Sequence, residues 1–259
     1  MIDDDSAPKG ERIANSAPKG ERIAKRMAAA GLCSRREAER WIAAGRVAVD
    51  GKTLDTPALT VHDGNVVTVD GKPIPGAAPV RMWLYHKPPG LLTTNSDPEG
   101  RPTVFAALPK SLPRVVSVGR LDMDSEGLLL LTTSGEIARK LESPKTAWRR
   151  RYRVRAYGPV DEAKLKSLAK GITVEGIRYR PIEAELERKT GANSWLKVTL
   201  SEGKTREIRR VLEHIGLKTN RLIRTAFGPF QLGNLKSGDV RSVPAKVVAE
   251  QIGKQSDGG

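Results

Sequence analysis

The sequence has one cysteine, Cys33, in 259 residues. A single thiol builds neither a disulfide framework nor a cysteine-based zinc site. A reducing cytosol is therefore the expected setting, and Cys33 reads as a small buried hydrophobe near a helix end. Histidine is nearly as scarce. His62, His86 and His214 stand apart, with no spacing that suggests a metal site. The longest aliphatic run is the four leucines Leu128 to Leu131, far short of the ~20 residues of a membrane span. The opening Met-Ile-Asp-Asp-Asp carries no apolar segment, so no secretory leader is expected. No Gly-rich phosphate loop occurs, which leaves phosphate transfer without a motif. Acidic residues are also in deficit. Thirty Asp and Glu stand against 45 Lys and Arg, for a net charge of +15. Such an excess describes the partner rather than the fold. A polyanion is implied, nucleic acid before membrane. A membrane surface would call for an amphipathic basic helix or a lipidation signal, and the sequence offers neither.

With 38% apolar residues, the chain suffices for one large domain and one small one. Its most informative stretch is 115–133, Val-Val-Ser-Val-Gly-Arg-Leu-Asp-Met-Asp-Ser-Glu-Gly-Leu-Leu-Leu-Leu-Thr-Thr. The runs Val115 to Val118 and Leu128 to Leu131 read as buried strands. Between them a short loop carries Arg120, Asp122, Asp124 and Glu126. Charge at the edge of a buried sheet is costly unless something uses or pairs it, and loops on a rigid scaffold are where catalytic groups sit. Read alone, the stretch also fits a solvated turn between two strands.

Residues 6–14 and 16–24 are the same nine residues, Ser-Ala-Pro-Lys-Gly-Glu-Arg-Ile-Ala. One such repeat is too short for a solenoid, and residues 1–20 read as a disordered tail. From Glu21 the pattern turns helical, with Ile23, Met27 and Ala30 on one face and Gly31 as the stop. Ser34-Arg35-Arg36-Glu37 has capping-box spacing. Ala38, Trp41 and Ile42 continue a second helix that Gly45 ends. Val47–Lys52 and Val66–Lys72 each carry Asp-Gly between strand-like residues, a hairpin signal. Lys25, Arg35, Arg36, Arg46 and Lys52 surround this module. Any one of them is by default a solvated side chain. Five on about thirty positions point to a surface that tracks phosphates and specifies little sequence.

Residues 73–80 are rich in Pro, Gly and Ala. We place a linker at 77–81, between a domain over 21–76 and a second over 82–252, with a short tail at 253–259. In the second domain Met82–Tyr85 is strand-like and His86-Lys87-Pro88-Pro89-Gly90 must turn. Ser134-Gly135-Glu136 opens a helix that Ser143-Pro144 stops. Arg149 to Arg155 is the densest charge run. Its period-two alternation makes a strand with Tyr152 and Val154 on one face and arginines on the other. A helix over Asp161–Ala169 and strands near 172–174, 181–186 and 195–200 follow. Then Glu202-Gly203-Lys204-Thr205-Arg206-Glu207-Ile208-Arg209-Arg210 runs into a helix with Ile208, Leu212 and Ile215 on one face, capped by Gly216. Arg221–Arg224 reads as a further strand.

Gly119-Arg120-Leu121-Asp122, with Ser125-Glu126-Gly127 and the four leucines, resembles the catalytic motif of the ribosomal RNA pseudouridine synthases. The resembling branch acts on single uridines in small- or large-subunit RNA. Gly31-Leu32-Cys33-Ser34-Arg35-Arg36-Glu37-Ala38-Glu39 resembles the small RNA-binding domain first known from a small-subunit ribosomal protein. Together the resemblances span about residues 21–245. They imply an α+β protein: a small α/β RNA-binding domain, and a catalytic domain with a mixed, mainly antiparallel sheet and a central cleft. They imply a monomeric, cytoplasmic isomerase with no cofactor and no metal, whose partner is ribosomal RNA or a ribosomal subunit precursor. Asp122 is implied as the catalytic aspartate, Arg209 as the arginine that pairs with it, Tyr152 as the tyrosine that packs against the uracil, and Arg120 as the group that holds the displaced nucleotide's place. Arg151 stands where many relatives carry lysine. Asp124 and Glu126 match no catalytic position and read as loop polar groups. His86 has no counterpart in the family's chemistry. The loop Asp97 to Val104 resembles one in large-subunit members, so large-subunit RNA is expected over small-subunit RNA.

Two other readings share these residues. A glycoside hydrolase would use Asp122 with Asp124 or Glu126 as paired carboxylates, but neutral sugars do not call for +15. A non-catalytic ribosome-assembly protein would be free to lose Asp122, Tyr152 or Arg209, and all three are present.

Overall fold

The computed structural model describes residues 20–143, 146 and 148–253. The first copy of the duplicated segment, the expected tail over 1–19, Pro144, and residues 254–259 lie outside them. The chain divides into two compact units, meeting at Ala77 and Ala78.

In the first unit, strand β1 (Glu21–Arg22) precedes helices α1 (Ile23–Ala29) and α2 (Arg35–Ala43). The helix expected from Glu21 starts two residues later. Glu21 and Arg22 instead pair with β4 (Thr60–Val61), a partner distant in sequence. The expected cap on α2 is present: Ser34 Oγ accepts the Glu37 N–H at 3.1 Å. Strands β2 (Val47–Val49), β3 (Lys52–Thr53), β5 (Val67–Val69) and β6 (Lys72–Pro73) form an antiparallel sheet in the order β3-β2-β5-β6. Both hairpins turn on Asp-Gly pairs with positive φ at each residue: Asp50 and Gly51, Asp70 and Gly71. Two-residue turns of this hand match strand twist. Ile23, Met27, Ala38, Ile42, Val47 and Val61 form the core, and Cys33 is buried among them.

The second unit is built on a nine-stranded sheet. Its strands are β7 (Met82–Lys87), β8 (Val116–Val118), β9 (Glu126–Thr132), β10 (Arg150–Tyr157), β13 (Ile182–Thr190), β14 (Asn193–Leu200), β15 (Lys218–Phe227), β16 (Phe230–Gln231) and β17 (Val240–Ser242). The main order is β13-β14-β10-β15-β9-β7-β17, with β8 on β9 and β16 on β15. Every pairing is antiparallel except β9 with β15, so the sheet is mixed and mainly antiparallel, as expected. Strands β11 (Ile172–Val174) and β12 (Ile177–Tyr179) make a separate hairpin. Around the sheet lie α3 (Val104–Ala107), α4 (Gly135–Glu142), α5 (Glu162–Ser167), α6 (Glu207–His214) and α7 (Ala245–Gly253). The helix expected over 161–169 is α5, capped by Asp161, followed by a 3-10 turn at Leu168–Lys170.

Strand β9 explains the leucine run. It is buried at every position. Leu128 and Leu130 pack with Met82, Val118 and Leu141; Leu129 and Leu131 pack with Trp83, Tyr85 and Val104 on the other face. A strand covered on both faces has no need of alternation. Its first two residues join β15 in parallel, with Glu126 opposite Ile223 and Gly127 opposite Arg224. Gly127 has φ +102°, and a Cβ there would stand 2.7 Å from the Arg224 nitrogen. Only glycine admits β15 this close, and that approach sets the β8–β9 loop beside β10 and β15.

Candidate active site

Beside that loop lies a cleft of about 1030 Å³, lined by Arg120, Asp122 and Tyr152 among others. Three of the four residues implied for the chemistry thus meet in one space, contributed by the loop and by β10. Arg120 is exposed, whereas Asp122 and Tyr152 are half-buried. Tyr152 packs against the hydrophobic clusters on both sides of it. Among the described residues the Asp122 carboxylate takes no hydrogen bond or ion pair.

The backbone of the loop, in contrast, is heavily tied. Asp122 O accepts the Ser125 N–H at 3.0 Å, and Met123 O accepts the Gly90 N–H at 2.7 Å. Leu121 O accepts the Thr93 hydroxyl at 2.7 Å. Lys87, fully buried at the end of β7, donates to the carbonyls of Ser125 (2.7 Å), Pro88 (3.0 Å) and Met123 (3.4 Å). Burial pulls its ammonium down to about 8, against the opposing pull of Asp124, Asp122 and Glu126. Nothing in the sequence singled Lys87 out from other lysines at strand ends. His86, one residue earlier, places Nδ1 2.7 Å from Leu235 O and does not line the cleft.

Arg209 does not pair as the family motif implied. Its Nη2 lies 3.1 Å from the Asp124 carboxylate and donates to Asp124 O at 3.1 Å, while Nη1 donates to Thr219 O at 3.1 Å. Asp122 acts on it only as a further negative charge. Asp124 and Glu126 are therefore more than solvated loop groups. Asp124 also meets Arg206 at 3.4 Å. Glu126 is buried as the first residue of β9 and pairs with Arg221. Asp122 and Asp124 are two positions apart on one loop. Which of them meets α6 depends on the path of the turn, and no motif spacing encodes that.

Two arginines of the cleft are buried. Arg150 shares a face with Tyr152, donates to Trp148 O (3.0 Å) and Ser201 O (2.9 Å), and lies over the Phe227 ring. Its even-numbered parity with Tyr152 and Val154 was the available signal. Arg224 stands opposite Tyr152 on β15 and donates from Nε to Leu128 O at 2.7 Å. The cleft also holds a buried carboxyl, Glu207, whose Oε2 accepts the Lys204 N–H at 2.8 Å. Burial pushes Glu207 up to about 7 from 4.5. A carboxyl raised in the folded state stabilises it below the unfolded value, and that stability is lost as pH rises through about 7. Glu207→Gln, which cannot ionise, should match wild type near pH 4.5 in urea melts and exceed it at pH 8 by about 2–3 kcal/mol.

Residues 81–214 match the family model described as RNA pseudouridylate synthase. An uncharacterized RNA pseudouridine synthase of Rickettsia conorii is 48% identical over 219 residues, which cover 85% of this chain and 94% of that one. The chain belongs to the RNA pseudouridine synthase family. It is an isomerase by that membership. The ribosomal large subunit pseudouridine synthase B of Salmonella typhi is 44% identical, with 80% of the synthase and 74% of the relative covered. A solved structure described as a pseudouridylate synthase is similar with a TM-score of 0.61 at 26% identity, covering 88% of the synthase and 97% of that chain.

Residues 21–67 of the synthase match the S4 domain. Of the five basic residues singled out there, Arg35, Arg36 and Lys52 are exposed. Arg46 is held in a fork by Asp70 at 2.9 and 2.5 Å and lies over the Trp41 ring. Lys25 pairs with Glu21 at 3.4 Å. No helix among the described residues is long and apolar enough to cross a membrane, and none of them form a metal-binding group of His, Cys, Asp and Glu.

Proposed function

We propose that the synthase converts one uridine of large-subunit ribosomal RNA to pseudouridine, as a monomer in the cytoplasm, with Asp122 as the reacting carboxylate. The observation that carries this reading is the state of Asp122: a half-buried carboxylate with no partner among the described residues, on a loop held through its backbone, in the cleft shared with Tyr152 and Arg120. The large-subunit target is supported by the name of the Salmonella typhi relative and by the Asp97–Val104 loop, part of which lines the cleft.

The reaction breaks the N1–C1′ bond, turns the uracil, and joins C5 to C1′. The C5 proton leaves and N1 gains one, so atoms and electrons balance without a redox partner or cofactor. Asp122 acts on the sugar, by attack at C1′ or by removal of a sugar proton. Tyr152 packs against the uracil and is placed to take part in proton transfer from C5. Unstacking the target nucleotide costs a few kcal/mol, and Arg120 offsets this by filling its place. Arg209 serves at one remove, through Asp124. Arg35, Arg36 and Lys52 on the S4 unit contact phosphates.

The test is tritium release from ribosomal RNA labelled at uridine C5, with large- and small-subunit RNA assayed separately, for wild type and Asp122→Asn. Release from large-subunit RNA that depends on Asp122 supports the proposal. Release from small-subunit RNA alone moves the target, and RNA binding without release from either would indicate an assembly protein. For the S4 unit, the double variant Arg35→Gln/Arg36→Gln should weaken RNA binding and lower the slope of log affinity against log salt by about 1–2, read by filter binding across a salt series.

A further inference from the structure

The loop between β8 and β9 carries two carboxylates, and the arginines of α6 and the turn before it go to only one. Asp124 receives Arg209 at 3.1 Å and Arg206 at 3.4 Å. These contacts join segments more than eighty residues apart in sequence. Arg209 is well buried, with its side chain 11% exposed. A second Arg209 nitrogen is anchored on Thr219 O of β15. Arg206 has left-handed backbone, φ +53°, which a non-glycine residue adopts at a cost. That strained turn brings its guanidinium to Asp124.

We propose that Asp124 is a positioning residue for the isomerisation: it welds the Asp122 loop to α6 and, by engaging Arg206 and Arg209, keeps both guanidinia off the Asp122 carboxylate. The inference rests on Asp122 being the reacting group. A carboxylate neutralised by a close guanidinium is a weaker base and nucleophile, so the free state of Asp122 is the productive one. Asp124 is the strongest favourable charge on Arg209, and Asp122 is the other carboxylate that acts on it. Remove the charge of Asp124, and a buried cation is left to seek its remaining anion. The charges facing Asp122 are Lys87 from β7 and Arg209 from α6. Arg120 on its own loop, Arg150 from β10, Arg206 and Glu207 from the α6 end, and Arg224 from β15 line the same cleft.

The experiment measures kcat, KM and the pH profile of tritium release for wild type, Asp124→Asn, Asp124→Glu and Asp122→Asn, with thermal melts of each. The Asp124 side chain is 48% exposed, so the variants should melt with wild type; Asp124→Ser replaces the asparagine if that variant does not fold. Asp124→Asn should lose roughly 10–100-fold in kcat, with KM for RNA within about twofold of wild type. Its acid limb should move to lower pH, because Arg209 then favours ionised Asp122. Asp124→Glu, which keeps the charge, should restore most of the rate. Unchanged kcat and pH profile in Asp124→Asn, with Asp122→Asn inactive, overturns this inference and leaves the role of Asp122 standing. Equal losses in the Asn and Glu variants with an unmoved acid limb reduce Asp124 to a structural part and overturn it too. An active Asp122→Asn removes the reading beneath it.

Discussion

Asp122→Asn is expected to lower tritium release by at least about 100-fold while the protein stays folded and continues to bind RNA. Both halves follow from the site. A positioned acid–base group contributes about 10²–10⁴-fold, and a nucleophile that forms a covalent intermediate contributes more. Asparagine retains the shape and loses the negative charge, so either role ends. The fold should barely respond, because the Asp122 carboxylate has no partner among the described residues to lose. Substitutions of that kind stay within about 0.5 kcal/mol. The loop keeps its path because its carbonyls are bonded to Lys87, Gly90 and Thr93. The decisive comparison is kcat against melting temperature and RNA affinity. Release within threefold or so of wild type would remove Asp122 from the chemistry.

The largest expected effect on stability comes from Gly127→Ala. Gly127 combines φ +102° with a β15 backbone so near that a Cβ would stand 2.7 Å from the Arg224 nitrogen. Backbone, unlike a flexible side chain, cannot swing away. Either β9 and β15 part, or the strand bends at its most buried end. Either outcome should cost about 4 kcal/mol or more, seen as loss of soluble protein or a large fall in melting temperature. Gly135→Ala is the control. It lies at the start of α4 with nothing near its Cβ position, and alanine there should be neutral or slightly stabilising. A Gly127→Ala protein that melts within a degree or two of wild type would show that the junction yields.

What the sequence disclosed and what it hid divide along physical lines. Local rules sufficed where a feature depends on neighbouring residues. The Ser34 cap, the two Asp-Gly hairpins and the buried leucine strand all follow from short-range chemistry. The loop with Asp122 was legible because its motif is long and contiguous. Features decided by distant partners were hidden. Glu21 and Arg22 left the helix for Thr60 and Val61. Arg150 was buried by Phe227, Trp148 and Ser201, which meet it only in the folded sheet. The irregularity between Arg151 and Tyr152 against β15 lies where local alternation cannot show it. The choice of Arg209 for Asp124 over Asp122 belongs to the same class, since both carboxylates sit on one turn.

The parallel meeting of β9 with β15 also bears on when activity begins. The residues it joins lie about a hundred positions apart in the chain, and closing so long a loop must precede any gain from the contact. Asp122 lies just before the junction, and Arg224 takes part in it. During synthesis from the N-terminus, the S4 unit and the leucine strand emerge well before β15. A nascent synthase can thus hold RNA through its first unit before its cleft exists. Catalytic competence arrives late, as a property of the nearly complete chain, and release stalled before residue 224 should leave an RNA binder with no turnover.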